Sequence, residues 1–286
     1  MANLKEIRNR ITSIGSTMQI TSAMKMVSAA KLKKAQDAIT AMRPYADKLT
    51  ELLQNLSATL DGDLGGTYTT QREVNKVLLV SITSNRGLCG GFNSAIIKET
   101  ISLIENKYKG KEVSILAIGK KSNDLLSKTY RVVGNKSTVF DALTFANVAA
   151  IAEEIMAQFT TGDYDKVELI YNRFKNAATQ IVTNEVFLPI EQTATETSSN
   201  LDYIYEPSKQ VIIEGLIPKS LKTQLYKALR DSFAAEHGAR MTAMHKATDN
   251  AGELRDELLL QYNKARQTAI TSEILEIVGG AEALNN

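Results

Sequence analysis

From Leu4 onward the apolar side chains fall at Leu4, Ile7, Ile11, Ile14 and Met18, the three-four spacing that lays one stripe along a helix. A second run, Ala35, Ile39, Met42, Ala46, Leu49, Leu53, Leu56 and Leu60, keeps the spacing but is out of register with the first across 19–34. Such a shift changes the buried face or locally alters a supercoil. Pro44 sits inside the second run and predicts a kink near Ala41 rather than a stop. Gly, Asp and Thr gathered without period in DGDLGGTYTTQ (61–71) predict a linker.

The pattern then changes. NKVLLVSIT, KEVSILAIG and DKVELIYNRF are short, β-branched apolar runs, separated by helical patterns around 92–107, 119–129 and 143–159. TQIVTNEVFLPI (179–190) adds a last strand. This alternation predicts a mostly parallel sheet covered by helices. The polar, acidic stretch 191–209 reads as an exposed connection. Pro218 is then expected to open a very long helix, along which Met244, Ala247, Ala251, Leu254, Leu258, Gln261, Ala265 and Thr268 hold the three-four spacing. About 65 residues at 1.5 Å each give about 100 Å of helix, too long for its stripe to be buried on one small domain.

The N-terminal stripe is the comparable partner for it. The predicted fold class is therefore α/β: a long antiparallel coiled coil of the N- and C-terminal helices, 1–60 and 210–286, with an inserted α/β, Rossmann-like domain at 74–190. Beyond the reach of the shorter helix, the C-terminal one must continue alone or lie against another protein. There Asn263, Lys264, Arg266, Gln267 and Thr268 interrupt the apolar stripe. Arg and Gln offer directional donors, and Arg grips carboxylates and carbonyls in pairs of bonds, so this patch is expected to be read by a separate chain.

Charge refines this picture. The net charge of +2 does not call for nucleic acid. Residues 1–34, however, carry Lys5, Arg8, Arg10, Lys25, Lys31, Lys33 and Lys34 against Glu6 alone, which suits either a solvated face or an acidic protein surface. The single cysteine, Cys89, leaves no internal disulfide, and His237 and His245 stand eight apart, the wrong spacing for two metal ligands on one helical face. No apolar run approaches a membrane span, and no signal-peptide core is expected.

Chemistry has few candidates. SNRGLCGGFN (84–93) lies between a strand and a helix, where nucleotide-binding loops place glycines, but Gly87, Gly90 and Gly91 fit neither GxGxxG nor a phosphate loop. A tight turn without ligand is expected. Glu273 and Glu276 could pair on one helical face, yet a lone helix offers no closed site for acid-base work. An enzyme that binds nucleotide at the turn and a passive coiled-coil scaffold are the alternatives to a helix end that a separate chain reads.

RMTAMHKATDNAGEL (240–254), YNKARQTAITSEILEIVGGAEAL (262–284), QITSAMKMVSAAKLKKAQ (19–36), RPYA (43–46) and RGLCGGFN (86–93) together resemble the gamma subunits of F-type rotary ATP synthases, over essentially the whole chain. The resemblance implies a non-catalytic central shaft without cofactor, turning inside a ring of alpha and beta subunits and joined below to the epsilon subunit and the membrane c-ring. It implies that Arg266 and Gln267 hold a loop of beta, with Thr271 and Glu273 close by, and that Met24, Lys25, Lys31, Lys33 and Lys34 face an acidic lever of beta. Arg240 would belong to the same coupling zone, and Tyr203 and Tyr205 in LDYIYEP to the foot near epsilon and the c-ring. Ser22, Asn85 and Leu201 depart from common family patterns, and the cysteine pair of redox-controlled chloroplast members is missing. The expected location is the cytoplasmic face of a bacterial plasma membrane, with membrane contact only through the complex.

Overall fold

The computed structural model describes residues 4–58, 68–190 and 209–284. Helix α1 (Leu4–Ala58) passes through Pro44 without ending, and helix α5 spans Lys209–Leu284. Between them lie β1 (Lys76–Ile82), α2 (Phe92–Ser102), β2 (Glu112–Ile118), α3 (Lys120–Leu126), β3 (Val132–Asn135), α4 (Phe145–Thr161), β4 (Lys166–Phe174) and β5 (Gln180–Leu188). The chain divides into two compact units, one of residues 1–28 and 241–286, the other of 29–240.

In the first unit the expected stripes are the ones covered. Ile7 is buried, and Leu4, Ile11, Ile14 and Met18 are half-covered, facing α5 residues that include buried Met244 and Leu258. Arg8 donates to the Tyr262 hydroxyl at 2.7 Å, the Thr21 and Thr248 hydroxyls meet at 2.8 Å, and Lys25 Nζ lies 3.3 Å from His245 Nδ1. Residue numbers rise on one helix as they fall on the other, so the pair is antiparallel. Gly252 faces Met18, whose sulfur would lie 4.0 Å from a Cβ built on that glycine. From Arg266 to Ala281 every α5 residue is exposed.

The second unit is built on a five-stranded sheet in the order β3-β2-β1-β4-β5, with β5 alone antiparallel to its neighbour. Alternation along β1 explains the layers. Leu78, Val80 and Ile82 join Val148, Ile151, Ile155 and Phe159 of α4 and Ile217, Leu221, Leu225 and Leu229 of α5 in one core. Val77 and Leu79 point the other way, to Ile96 and Leu103 beside α2. Thr144 caps α4 by accepting from Asn147 N, and Gly162 ends it at φ 82°.

Three features differ from expectation. Helix α5 begins at Lys209, nine residues before Pro218, so that proline lies inside it rather than opening it. Ile217, Leu221 and Leu225 anchor this early turn in the sheet core, and that burial outweighs the lost backbone bond. A short edge strand, Val132–Asn135, extends the sheet beyond the four strands expected. The segment expected as helix at 92–107 ends in a π-helical turn at Leu103–Lys107, closed by Tyr108 N donating to Leu103 O at 2.9 Å.

Candidate functional site

The candidate residues fall in two places. In the first unit, Arg266, Gln267, Thr271 and Glu273 lie on the exposed stretch of α5, interleaved with large apolar side chains that are also exposed: Ile270, Ile274, Leu275, Ile277 and Val278. Met24 and Lys25 on α1 are half-covered, and Lys25 shares His245 with Asp249, whose Oδ2 is 3.2 Å from Nδ1. Lys31, Lys33 and Lys34 are exposed in the second unit. Tyr203 and Tyr205 lie outside the described residues.

Arg240 is elsewhere and is buried, at 7% exposure. It is the last residue of the second unit, and its guanidinium is aimed into the glycine turn. Nη2 donates to Arg86 O at 3.1 Å and to Gly87 O at 3.3 Å, Nε donates to Gly87 O at 3.3 Å, and Nη1 donates to Glu236 Oε1 at 2.7 Å. His237 Nδ1 lies 3.5 Å from the same Nη1. Burial holds the His237 imidazole down at a pKa of about 4, with the Arg240 and Lys31 charges acting in the same direction. Burial also raises Glu236 above the usual carboxylate range, against the pull of Arg240.

The turn itself is tied together by short bonds. Ser84 N donates to Asn93 Oδ1 at 2.9 Å, Ser84 Oγ donates to Arg86 O at 2.6 Å, and Asn85 spans outward to Ser137 O and Lys120 N. Leu88 and Gly90 adopt positive φ, 62° and 58°. In an open parallel sheet the ligand crevice lies outside the carboxyl ends of the strands, where the order reverses, here between β1 and β4. That crevice is filled by the chain's own α5: Ala235 and Ala239 pack on Cys89 and Phe92, with Phe174 beside them. Gly238 passes so close that a Cβ there would lie 3.2 Å from Ala177 Cα. Burial pushes the Cys89 thiol up, away from a nucleophile's range.

Sequence reasoning weighed His237 only as a metal ligand and did not find Glu236 and Gly238. Their one local signal is the run AAEHGAR (234–240), small residues with Glu and Arg four apart on one face. Among the described residues no group of acids, histidines and cysteines is placed to hold a metal, and no helix is long and apolar enough to cross a membrane.

Terminal helices that pair with each other, one of them ending in a bare mixed polar and apolar face, and an α/β unit that takes its own helix into its crevice, define a coiled-coil protein with an inserted α/β domain. The family model described as ATP synthase matches residues 3–284. The gamma chain of the ATP synthase of Flavobacterium johnsoniae is 72% identical, with all of both chains covered. The chain belongs to the ATP synthase gamma chain family. Gamma chains are non-catalytic subunits. Among solved structures, a chain of the central stalk and c-ring of the Tetrahymena thermophila mitochondrial ATP synthase is similar, with TM-score 0.60, 29% identity, and coverage of 80% of this chain and 99% of that one. A chain of the Euglena gracilis mitochondrial enzyme shares the fold at TM-score 0.69 and 23% identity, covering 98% of this chain and 94% of that one.

Proposed function

We propose that this chain, the central rotor subunit of an F-type ATP synthase, drives the alpha and beta ring through the exposed end of α5. The observation that carries the proposal is the unbroken exposure from Arg266 to Ala281. Arg266 and Gln267 act as a catch on a loop of beta, supported by Thr271 and Glu273. Lys25, Lys31, Lys33 and Lys34 offer charge to an acidic surface of beta, with Met24 beside them in the same contact zone. Arg240 serves the same zone by holding the glycine turn rather than by reaching outward.

A rotor shifts a beta subunit between conformers only through contacts that differ between them. Moving an equilibrium from 1:99 to 99:1 takes about 5.5 kcal/mol. A charge-assisted hydrogen bond contributes about 1.5–3 kcal/mol, so Arg266, Gln267 and the apolar residues around them are of the right order. Rotation makes and breaks these contacts in turn, and proton flow is thereby coupled to synthesis, or hydrolysis to pumping. A continuous apolar stripe would hold one orientation instead.

The three-part organisation, 1–60, 74–190 and 210–286, belongs to the same proposal, with Tyr203 and Tyr205 meeting epsilon and the c-ring. The location is the cytoplasmic face of the bacterial plasma membrane, with membrane contact through the complex. The test is ATP hydrolysis by purified alpha and beta subunits with and without this chain, and by the chain alone. Activity requiring all three, with one copy of this chain per complex, is expected. Hydrolysis by the chain alone, with no effect on alpha and beta, would overturn the proposal.

A further inference from the structure

We infer that the groove where α1, the end of β4 and α5 meet in the second unit is a binding site for a small amphipathic anion, an acidic head group carried on a short apolar tail. The groove has a volume of about 560 Å³, inside the range of about 300–1,000 Å³ in which small-molecule sites fall. Three elements build it. Ile39, Met42 and Ala46 recur at three-four spacing on α1 and line it with one apolar face. Arg173 comes from the end of β4 and Lys175 follows directly after that strand, while Lys227 and Asp231 stand one turn apart on α5. All of these residues lie within 29–240, none of them in the unit that holds Arg266 and Gln267, and the inference stands without the rotor function.

The lining divides by chemistry. Ile39 and Ala46 are buried and Met42 is half-covered, whereas Arg173 and Lys175 are exposed and Lys227 is half-buried. An apolar floor under a cationic mouth matches an amphipathic anion, tail inward and head outward. The cations also lack a counter-charge. Elsewhere in this unit Lys107, Lys136 and Lys222 each meet a carboxylate at 2.6 Å or less. Among the described residues no ion pair or side-chain hydrogen bond engages Arg173, Lys175 or Lys227. Asp231 is the one acid among the described lining residues and is buried at 5% exposure, so three positive charges stand against one and the outer two are basic. A guanidinium fork beside ammonium groups gives charge-assisted bonds to a carboxylate or a phosphate head. The turn after β4 that presents them is held in shape, since Asn176 Oδ1 accepts from Ala178 N at 3.0 Å and from Thr179 N at 2.7 Å.

The test is titration of the full chain with decanoate and with decyl phosphate, each below its micelle concentration, followed by calorimetry and by the methyl resonances of Ile39 and Met42. Saturable binding of one anion per chain, with those methyls shifted, is expected, and the tighter of the two anions identifies the head group. Decanol has the tail without the charge, and acetate has the charge without the tail. Each should bind at least about tenfold more weakly, because each forfeits one half of the site. R173Q/K175Q removes charge at exposed positions and should weaken the anion at least about tenfold, the scale of one charge-assisted hydrogen bond. K227Q should weaken it in the same direction.

Decanol binding as tightly as decanoate would reduce the groove to an apolar crevice and overturn the assignment. So would natural affinity in R173Q/K175Q and K227Q, or uptake of many anions per chain without saturation. An oligoglutamate peptide bound at the groove, with both small anions refused, would overturn it in favour of an acidic protein segment. If K227Q does not fold, R173Q/K175Q decides alone, since both of its positions are exposed.

Discussion

Thr21 and Thr248, 227 positions apart in the chain, bring their hydroxyls to 2.8 Å inside the two-helix unit. Each also has a carbonyl of its own helix in reach, Met18 O at 3.1 Å and Met244 O at 2.8 Å. Two protons thus serve three contacts, and either hydroxyl keeps an acceptor if the other is lost. Replacing Thr248 alone by Val should cost about 1 kcal/mol, the usual net value of one hydrogen bond. The double change T21V/T248V should cost less than the two singles added, because the bond between the two hydroxyls is lost in either single and is counted twice in their sum. Urea unfolding of the four chains measures the coupling; strict additivity would show that the hydroxyls do not interact.

Gly119 tests the seam between β1 and α3. It sits at φ 129°, and a Cβ would lie 2.2 Å from Thr83 O, a backbone atom that cannot step aside. Gly119→Ala should therefore destabilise the sheet unit by about 3 kcal/mol or more, as forced backbone strain added to a clash does. Gly87, where nothing lies within 4 Å of a built Cβ, is the control. Gly87→Ala should stay within about 0.5 kcal/mol. Equal unfolding midpoints for the two variants would refute the difference in strain.

Much of this architecture was legible because it is periodic. The stripes Leu4 to Met18 and Met244 to Leu258 belong to helices that need each other, and β1, β2 and β4 carry apolar runs that only a sheet covered on both faces buries. Val132–Asn135 escaped because a four-residue edge strand, half-covered and containing Gly134, offers too little alternation to see. Pro218 misled for a different reason. Proline favours the first turn of a helix, but the anchoring of Ile217 and Leu221 in the sheet core is tertiary and local preference does not report it. The bonds from Arg240 to the glycine turn were out of reach of spacing arguments, since Arg240 and Gly87 are 153 positions apart. The resemblance places Arg240 in a coupling zone, and within the chain its donors hold Arg86 O, Gly87 O and Glu236 Oε1.

Arg266 and Gln267 separate fold from function. Both are exposed on α5, so R266A/Q267A should leave the unfolding midpoint of the isolated chain within about 0.5 kcal/mol of the natural one. In the assembled complex the same double change should lower coupled ATP synthesis at least about tenfold, equivalent to about 1.4 kcal/mol. Full synthesis by the assembled variant would remove the catch from these two residues.

His237 gives the sheet unit a pH dependence whose sign follows from its position. It is buried at 5% exposure, stacked edge-on to Phe233 with ring centroids 4.5 Å apart, and next to Arg240. Burial first, then the Arg240 and Lys31 charges, lowers its pKa from 6.5 to about 4. Between those values the unfolded chain binds a proton that the folded chain refuses, so stability falls as the pH drops through this window. Glu236 pulls the other way: burial raises its pKa, so its contribution is lost as the pH rises above the ordinary carboxylate range. Comparing the natural chain with His237→Gln cancels most of the Glu236 term, because both chains keep the Glu236 bond to Arg240. From pH 6.5 down towards 4 the natural chain should lose stability relative to the variant with a slope approaching about 1.4 kcal/mol per pH unit. Urea midpoints across that range measure the slope. Parallel curves would mean that the imidazole is protonated in the folded chain, and that its neighbours do not hold it neutral.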